Sequence, residues 1–236
     1  MEDFQTVLLT AGQKDLIANK SDLSHKSFVR TPSGELLIEA AFECYRSKSN
    51  NIIIVDNDQV ENFCESNFRN QSIDVKLLRV SKTRGALASL LLSVDLLVPE
   101  LPILVAPLDG LLPKSLVRDF ISQMRRTECT SGTVVFNSVN PDYSYVRTSK
   151  NSRILEFAEK RVIGNWATTG LFYYRNLGDL ILAAEWTFKN NLQIDDVFYI
   201  SNSLNYFVLK DFKIDVMVID EKNYTRYPSQ TDLSEN

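Results

Sequence analysis

Histidine and cysteine are scarce in this chain of 236 residues, and each scarcity excludes a class of chemistry. One histidine, His25, leaves no multi-histidine metal site, and the absence of G-x-S-x-G excludes the nucleophile elbow of a serine hydrolase. Three cysteines, Cys44, Cys64 and Cys129, lie far apart without a C-x-x-C pair, so a zinc site or disulfide framework is disfavoured. Any metal is therefore expected on carboxylates, which suit Mg²⁺.

Long apolar runs and basic clusters are also lacking. No run approaches the roughly 20 residues that span a bilayer, and the longest, from Leu87 to Val98, is interrupted by Ser89, Ser93 and Asp95. The N-terminus is acidic, unlike a signal peptide, so we expect a cytoplasmic protein. The net charge is −4 and no block of Lys and Arg exceeds a doublet, which argues against nucleic acid as a partner.

Short β-branched runs alternate with amphipathic patterns through the first half of the chain. Strands are predicted at 6–9, 51–55, 75–80 and 102–106, and helices at 34–46, 59–67, 85–97 and 115–126. This alternation predicts an α/β fold with a mostly parallel sheet flanked by helices.

The second half has a more mixed pattern. Strands are predicted at 133–136, 143–148, 153–157, 170–174 and 214–219, and helices at 177–189 and 203–209. The turn residues Asn151 and Ser152 indicate a small antiparallel insertion. Because neither a repeat nor a linker is visible, residues 1–236 are predicted to form one domain.

Three segments are predicted to lie outside the carboxyl ends of the strands, where open parallel sheets bind ligands. The segment 8–12 ends in a glycine that lets backbone N–H groups approach a base or a phosphate, or else forms a plain turn. The segment 83–86 precedes a helix, whose free N–H groups favour anions; ordinary capping by Thr83 is the alternative. Asp109 follows an apolar strand, where a Mg²⁺ ligand is expected, although Asp109-Gly110 is also a common turn pair.

Two further positions carry candidate charges. Lys26 lies in a polar stretch of about 20 residues, which is long for a loop and typical of functional segments, although a solvated lysine is the alternative. Glu159 and Lys160 follow the predicted antiparallel segment, where an exposed ion pair is the simpler interpretation.

The order of these segments resembles the sugar-phosphate nucleotidyltransferase family, the nucleoside-diphosphate-sugar pyrophosphorylases. The resemblance runs from about residue 4 to residue 233, and its strongest part, 159–173, is similar to the family pattern E-K-x…N-x-A-x-T-G-x-Y-x-Y. It implies a Rossmann-like sheet of the GT-A type, with a nucleotide-binding half at 1–126 and a sugar-phosphate-binding half at 127–236. It also implies Mg²⁺ as cofactor, a nucleoside triphosphate and a sugar phosphate as ligands, and a monomer or small homo-oligomer.

The resemblance implies a role for each candidate residue. The nucleotide is expected on Leu9, Ala11, Gly12, Lys14, Thr83, Gly85 and Ala86, Mg²⁺ on Asp109, and the sugar phosphate on Glu159, Lys160, Asn165 and Gly170. Lys26, which resembles the lysine of the family's P-K-P-L motif, is expected to be catalytic together with Asp109 and Lys160.

The implied reaction is attack of a sugar 1-phosphate oxygen on the α-phosphorus of a nucleoside triphosphate, making an activated sugar for surface polysaccharide. A phosphate monoester is already largely ionised at pH 7, since its second pKa is about 6. The reaction therefore needs positioning and charge neutralisation rather than a general base, and a chain with one histidine can perform it.

The chain also departs from the family pattern. Where the family has G-x-G-x-R after the first strand, this chain has Gly12, Lys14 and Leu16, and Arg226 stands roughly where the family has a second metal-binding aspartate. The alternative is therefore a catalytically degenerate regulatory or scaffold protein that binds nucleotide or sugar phosphate. A GT-A glycosyltransferase is disfavoured, because Asp109-Gly110-Leu111 lacks the second aspartate of D-x-D.

Overall fold

The computed structural model describes residues 3–11, 17–19, 22–68 and 73–227. Its strands are β1 (Gln5–Leu9), β2 (Ile17–Asn19), β3 (Asp22–Ser24), β4 (Asn50–Val55), β5 (Val75–Arg79), β6 (Ile103–Pro107), β7 (Gly110–Leu111), β8 (Ser131–Asn137), β9 (Tyr145–Thr148), β10 (Ile154–Ala158), β11 (Trp166–Tyr174), β12 (Ile214–Val218) and β13 (Thr225–Arg226). Its α-helices are α1 (Leu37–Tyr45), α2 (Asp58–Asn67), α3 (Ala86–Leu91), α4 (Lys114–Arg126), α5 (Leu177–Lys189), α6 (Ile200–Ser203) and α7 (Asn205–Leu209). Among the described residues, none of these helices has the length and apolarity needed to cross a membrane.

Nine strands form one mixed sheet with a parallel centre. Strands β5, β4, β1 and β6 lie side by side in parallel, and β11 runs antiparallel to β6. Beyond β11, the sheet continues through the antiparallel hairpin β9–β10, and β8 pairs with β11 and carries β12. The predicted α/β class, a mainly parallel central sheet flanked by helices with an antiparallel part in the second half, is confirmed.

Helices cover both faces of the central strands, which explains their almost continuous apolar sequences. Leu8 of β1 faces the cluster that contains α1, α2 and α4, while its neighbour Val7 faces the cluster that contains α3, α5, α6 and α7. Ile53 and Ile52 of β4 divide between the same two clusters. The central strands therefore bury alternate side chains in two separate cores, which leaves the ends of these strands for binding.

The helix predicted over 85–97 is wrong in its length, because α3 ends at Leu91. The Ser93 hydroxyl donates to the Leu90 carbonyl at 2.7 Å, and the Leu92 N–H bonds three residues back to Ser89 at 3.2 Å. Both bonds tighten the last turn and compete with continuation of the helix. A 3₁₀ turn at Val94–Leu96 follows instead.

The predicted antiparallel segment is present as the β9–β10 hairpin, and β9 joins it to the main sheet by pairing with β11. One other predicted element differs in form. The helix predicted over 203–209 starts earlier and consists of two short helices, α6 and α7, that meet at Leu204.

Candidate active site

The ends of three central strands bring the first candidate residues together. Leu9, the last residue of β1, lies between β4 and β6 and pairs with both. Leu9 and Ala11 are half-buried and contact the apolar cluster that contains α3. Gly12 and Lys14, which are predicted to hold the nucleotide, lie outside the described residues. The described part of the loop therefore starts at the carboxyl edge of the sheet, where a parallel sheet binds ligands.

Lys26 and Asp109 form an ion pair at this edge. The Lys26 ammonium lies 3.1 Å from Asp109 Oδ2, although 83 positions separate the two residues in the chain. The Lys26 side chain is 3% exposed and that of Asp109 is 30% exposed. A buried ammonium needs a charged partner to remain in place, and Asp109 provides it while keeping one side towards solvent.

A short 3₁₀ turn, Lys26–Phe28, fixes the position of the lysine. Its preceding residue, His25, accepts the Ser27 N–H at Nδ1 (3.1 Å), and the Val29 N–H donates to the Lys26 carbonyl (3.1 Å). The Phe28 ring contacts the edge of the Phe63 ring of α2, with centroids 5.6 Å apart. The turn that carries Lys26 is therefore anchored to the core, rather than solvated.

Asp109 and Gly110 are held by backbone contacts with two distant parts of the chain. The Tyr45 hydroxyl of α1 donates to the Gly110 carbonyl, and the Tyr227 N–H donates to the Asp109 carbonyl at 2.8 Å. Strand β13 pairs with β7, which starts at Gly110. A Cβ at Gly110 would lie 2.7 Å from the Tyr224 hydroxyl and 3.1 Å from the Thr169 carbonyl oxygen, so a larger residue would have to displace the Tyr224 side chain. Asp109-Gly110 thus forms a structured strand end rather than a plain turn.

The Tyr224 hydroxyl is buried close to two charged side chains, those of Asp109 and Arg226. Burial raises its pKa well above the usual range, the Asp109 charge raises the pKa further, and the Arg226 charge lowers it. The phenol therefore stays protonated at neutral pH, and both charged side chains act on it. Neither Tyr45 nor Tyr224 has a sequence signal, because each reaches Gly110 from a distant part of the chain.

Glu159 is oriented by two serine hydroxyls. Those of Ser144 and Ser201 both donate to Glu159 Oε2, the latter at 2.7 Å. Because the same oxygen receives both bonds, the carboxylate is held in one orientation. The Asn205 side chain supports this arrangement by bonding the N–H (2.9 Å) and the carbonyl (2.8 Å) of Phe157 in the edge strand β10. The serines resemble ordinary loop residues in the sequence, which is why sequence reasoning missed them.

Lys160 directly follows Glu159 in a left-handed backbone conformation, with φ of 49°. Its N–H donates to the Tyr143 carbonyl at 3.1 Å, and its ammonium lies 5.7 Å from the centre of the Tyr199 ring. Non-glycine residues adopt this conformation only where the surroundings hold them. The Glu159-Lys160 pair is therefore a positioned feature rather than a mobile surface doublet.

Gly170 joins the two halves of the chain near the site. It has a φ of 80° and interrupts the pairing of β11 with β8, and a Cβ there would lie 3.3 Å from Pro107 Cγ. Pro107 is the last residue of β6, and Asp109 follows it by two positions. Asn165 is exposed at the start of β11, and its carbonyl accepts the Ser138 N–H at 3.0 Å.

The segment 83–86 has a different geometry from the one expected of an open anion site. Gly85 has a φ of 109°, and a Cβ there would lie 2.6 Å from the Phe198 carbonyl oxygen. That carbonyl also accepts the Leu87 N–H at 3.2 Å. Thr83 bonds Ser89 hydroxyl to hydroxyl at 2.7 Å, and Ala86 contacts the apolar cluster. The space that a side chain at position 85 would need is thus occupied by the backbone of Phe198.

His25 lies beside Lys26 as a buried, neutral ring. Burial lowers its pKa, the nearby Asp56 carboxylate raises it, and the Lys26 charge lowers it. Its Nε2 is 3.9 Å from Asp56 Oδ1, which lies beyond hydrogen-bond distance. Since Nδ1 accepts the Ser27 N–H, the neutral ring carries its proton on Nε2.

The donor set at this edge fits a magnesium ion that is delivered with phosphate groups. Among the described residues, no three His, Cys, Asp or Glu side chains gather into a metal-binding group. Mg²⁺ is, however, usually bound through one or two carboxylates together with substrate phosphates and water. Asp109, partly exposed at the end of β6, is a carboxylate of this kind.

Comparison with known proteins supports the fold. No protein-family model matches the chain, and no curated protein matches its sequence. Its structure is similar to that of a nucleoside-diphosphate-sugar pyrophosphorylase from Vibrio cholerae RC9, with a TM-score of 0.83 and 16% identity over 98% of each chain.

Two further solved structures are similar. One is a protein from Bacillus anthracis, described as a glucose-1-phosphate thymidylyltransferase and solved in complex with a sucrose. It has a TM-score of 0.77 and 12% identity over 98% of this chain and 93% of that one. The inositol-1-phosphate CTP transferase from T. maritima has a TM-score of 0.73 and 16% identity over 97% and 90%. The chain therefore has the fold of sugar-phosphate nucleotidyltransferases.

Proposed function

We propose that this chain is a cytoplasmic, Mg²⁺-dependent nucleotidyltransferase. It would transfer the nucleoside monophosphate of a nucleoside triphosphate to the phosphate of a sugar 1-phosphate or a related acceptor and release pyrophosphate. The product would be an activated sugar for surface polysaccharide. The solved structures that share the fold are named for reactions of this type, with thymidylyl and CTP as the nucleotide parts.

The pairing of Lys26 with Asp109 carries the proposal. A buried ammonium and a partly exposed carboxylate lie 3.1 Å apart outside the central strands, in the part of the fold where ligands bind. The carboxylate suits a Mg²⁺ ion that arrives with the triphosphate, and the ammonium suits the phosphate oxygens themselves.

The second substrate would bind at Glu159 and Lys160. Glu159, whose Oε2 accepts two serine hydroxyls, would accept a hydroxyl group of the sugar. Lys160 would bind the acceptor phosphate, and Asn165 and Gly170 would line the sugar pocket. Leu9, Ala11, Gly12, Lys14, Thr83 and Ala86 would surround the nucleotide, and Gly85 would contribute by holding that segment against the Phe198 backbone.

The reaction would form a bond from an acceptor phosphate oxygen to the α-phosphorus and break the bond from that phosphorus to the pyrophosphate oxygen. Because the acceptor is already ionised near pH 7, no residue has to remove a proton. Lys26 and Lys160 would hold the two phosphate groups in line and offset their charge. Asp109 would hold Mg²⁺, which when bound would neutralise a further part of the triphosphate charge.

Calorimetry with CTP, UTP, dTTP, GTP and ATP, each with and without Mg²⁺, tests this proposal. One triphosphate should bind tightly to the wild type with Mg²⁺. Asp109→Asn should lose this Mg²⁺-dependent binding while remaining folded, because the Asn side chain keeps an acceptor for Lys26. Asp211→Asn, at an exposed carboxylate that pairs with Arg153, is the matched control and should bind like the wild type.

Two outcomes would contradict the assignment. Mg²⁺ dependence that is unchanged in Asp109→Asn would remove Asp109 from the metal site. Tight binding of a triphosphate with no release of pyrophosphate on addition of any sugar phosphate would instead favour a regulatory or scaffold role.

A further inference from the structure

Arg226 lies beside the strand end that carries Asp109. It is paired in antiparallel register with Gly110, and the next residue, Tyr227, donates its N–H to the Asp109 carbonyl at 2.8 Å. Directly opposed residues in such a pair have Cα atoms about 4.5–5.5 Å apart. The Arg226 charge also acts on the Tyr224 hydroxyl, as the Asp109 charge does.

The guanidinium of Arg226 is directed towards the second half of the site. It lies 4.8 Å from the centre of the Tyr143 ring. The Tyr143 carbonyl in turn accepts the N–H of Lys160, and the following residue, Ser144, bonds Glu159. Arg226 thus connects the backbone around Asp109 with the segment that orients Glu159 and Lys160.

We propose that Arg226 is a phosphate-binding residue of this site and that it contacts the phosphate of the acceptor. This inference rests on the proposed function and names a residue of that same site. A planar guanidinium with several donors suits a phosphate group better than an ammonium does. Its side chain is 22% exposed, so it is partly desolvated and still reachable by a ligand.

Charge balance gives the physical reason for a second cation. A phosphate monoester carries about −1.5 to −2 charge near pH 7. Lys160 offers one positive charge, with the Glu159 carboxylate beside it in the chain, and the Lys26 charge already faces Asp109. In each of these two pairs a carboxylate offsets the charge of the lysine. The guanidinium of Arg226 would supply the additional positive charge that the acceptor phosphate needs.

The contact of Arg226 with Asp142 is longer than a charge-assisted hydrogen bond. Its Nη1 lies 3.6 Å from Asp142 Oδ2, and the Asp142 side chain is 47% exposed. Charge-assisted hydrogen bonds are shorter, about 2.7–2.9 Å, and ion pairs with exposed partners are weak. An acceptor phosphate can therefore replace the Asp142 contact with a shorter bond to a more highly charged group.

Calorimetry with glucose 1-phosphate and with inorganic phosphate tests the inference, in parallel with the triphosphate selected above. Arg226→Ala should weaken binding of both phosphate probes at least about 10-fold, as expected for loss of a hydrogen bond between charged groups. Its affinity for the triphosphate with Mg²⁺ should change less than about 3-fold. Arg226→Lys should recover part of the lost affinity for the phosphate probes. Asp142→Asn, made in the otherwise wild-type protein, should raise the affinity for these probes above that of the wild type.

Arg161→Ala is the matched control, because Arg161 directly follows Lys160 but pairs with Glu156 in an exposed position. Thermal unfolding of each variant separates a binding role from a structural one. The inference is overturned when folded Arg226→Ala binds both probes like the wild type. It is also overturned when all ligands weaken together in proportion to a loss of stability. A wild type that binds neither triphosphate nor phosphate probes overturns the proposed function as well.

Discussion

Removal of the Asp109 carboxylate should destabilise the protein by leaving the Lys26 ammonium buried without a partner. Breaking a fully buried ion pair in this way costs about 3–5 kcal/mol. Because the Asp109 side chain is 30% exposed, water can reach the ammonium from that side, and we expect about half of this cost. Asp109→Ala should therefore lower the free energy of unfolding by about 2 kcal/mol, and the midpoint of thermal unfolding by about 4–8 °C for a chain of this size.

The reverse truncation should cost less. Lys26→Met keeps most of the side-chain volume and leaves Asp109 with its solvent-exposed side, so we expect a loss below about 1 kcal/mol. The double variant should then resemble Lys26→Met, since no buried charge remains. The cycle should give a favourable coupling energy of about 2 kcal/mol between the two groups, because the double variant no longer bears the cost of Asp109→Ala.

Urea unfolding followed by circular dichroism measures these free energies without relying on activity. Glu185→Ala is the matched control, because Glu185 pairs with Lys189 on the exposed face of α5, and its removal should cost at most about 0.5 kcal/mol. Equal losses for Asp109→Ala and Lys26→Met, with strictly additive effects in the double variant, would refute the reasoning. Such a result would mean that water, rather than the carboxylate, stabilises the ammonium.

Three other measurements test neighbouring parts of the structure. Gly85→Ala should cost roughly 2–4 kcal/mol in urea unfolding, because the new Cβ meets the Phe198 carbonyl and the backbone has a positive φ; a cost below 1 kcal/mol would contradict this contact. Lys160→Ala should raise the KM for the phosphate acceptor more than the KM for the nucleotide, and equal effects would indicate a structural role. The pKa of His25 is lowered in the folded state, so its contribution to stability is complete above the unfolded pKa of about 6.5 and is lost as the pH falls below that value. His25→Gln should remove this part of the pH dependence, and unfolding curves that fall equally between pH 7 and 5.5 in both proteins would contradict it.

The sequence was sufficient to predict the central sheet, because each buried strand contains a run of apolar residues with a turn after it. β4 and β6 lie within one residue of the predicted bounds. The position of Asp109 after the carboxyl end of a central strand was also predictable, since it follows the most apolar of these runs. The length of α3 was not predictable from apolar periodicity, which continues past Leu91 through Leu96 and Leu97. A single side-chain bond, from Ser93 to the Leu90 carbonyl, contributes to its early end.

The partners of the candidate residues were not predictable, because they come from distant parts of the chain. Lys26 and Asp109 are 83 positions apart, and Ser201 is 42 positions from Glu159. Neither pair has a spacing that a helix or strand period would reveal. The Tyr224 contact with Gly110 depends on strand β13, a two-residue strand too short to have a recognisable pattern.

The two halves proposed to bind nucleotide and sugar phosphate share one sheet at the candidate site. β11, from the second half, pairs directly with β6 and so fills the position beside the strand that leads to Asp109. At the same end, Gly170 approaches Pro107, and Arg226 pairs with Gly110. The strand end that carries Asp109 is therefore fixed by the half that carries Glu159 and Lys160. In the proposed reaction, which relies on alignment of two phosphate groups rather than on a general base, this shared strand would set the distance between them.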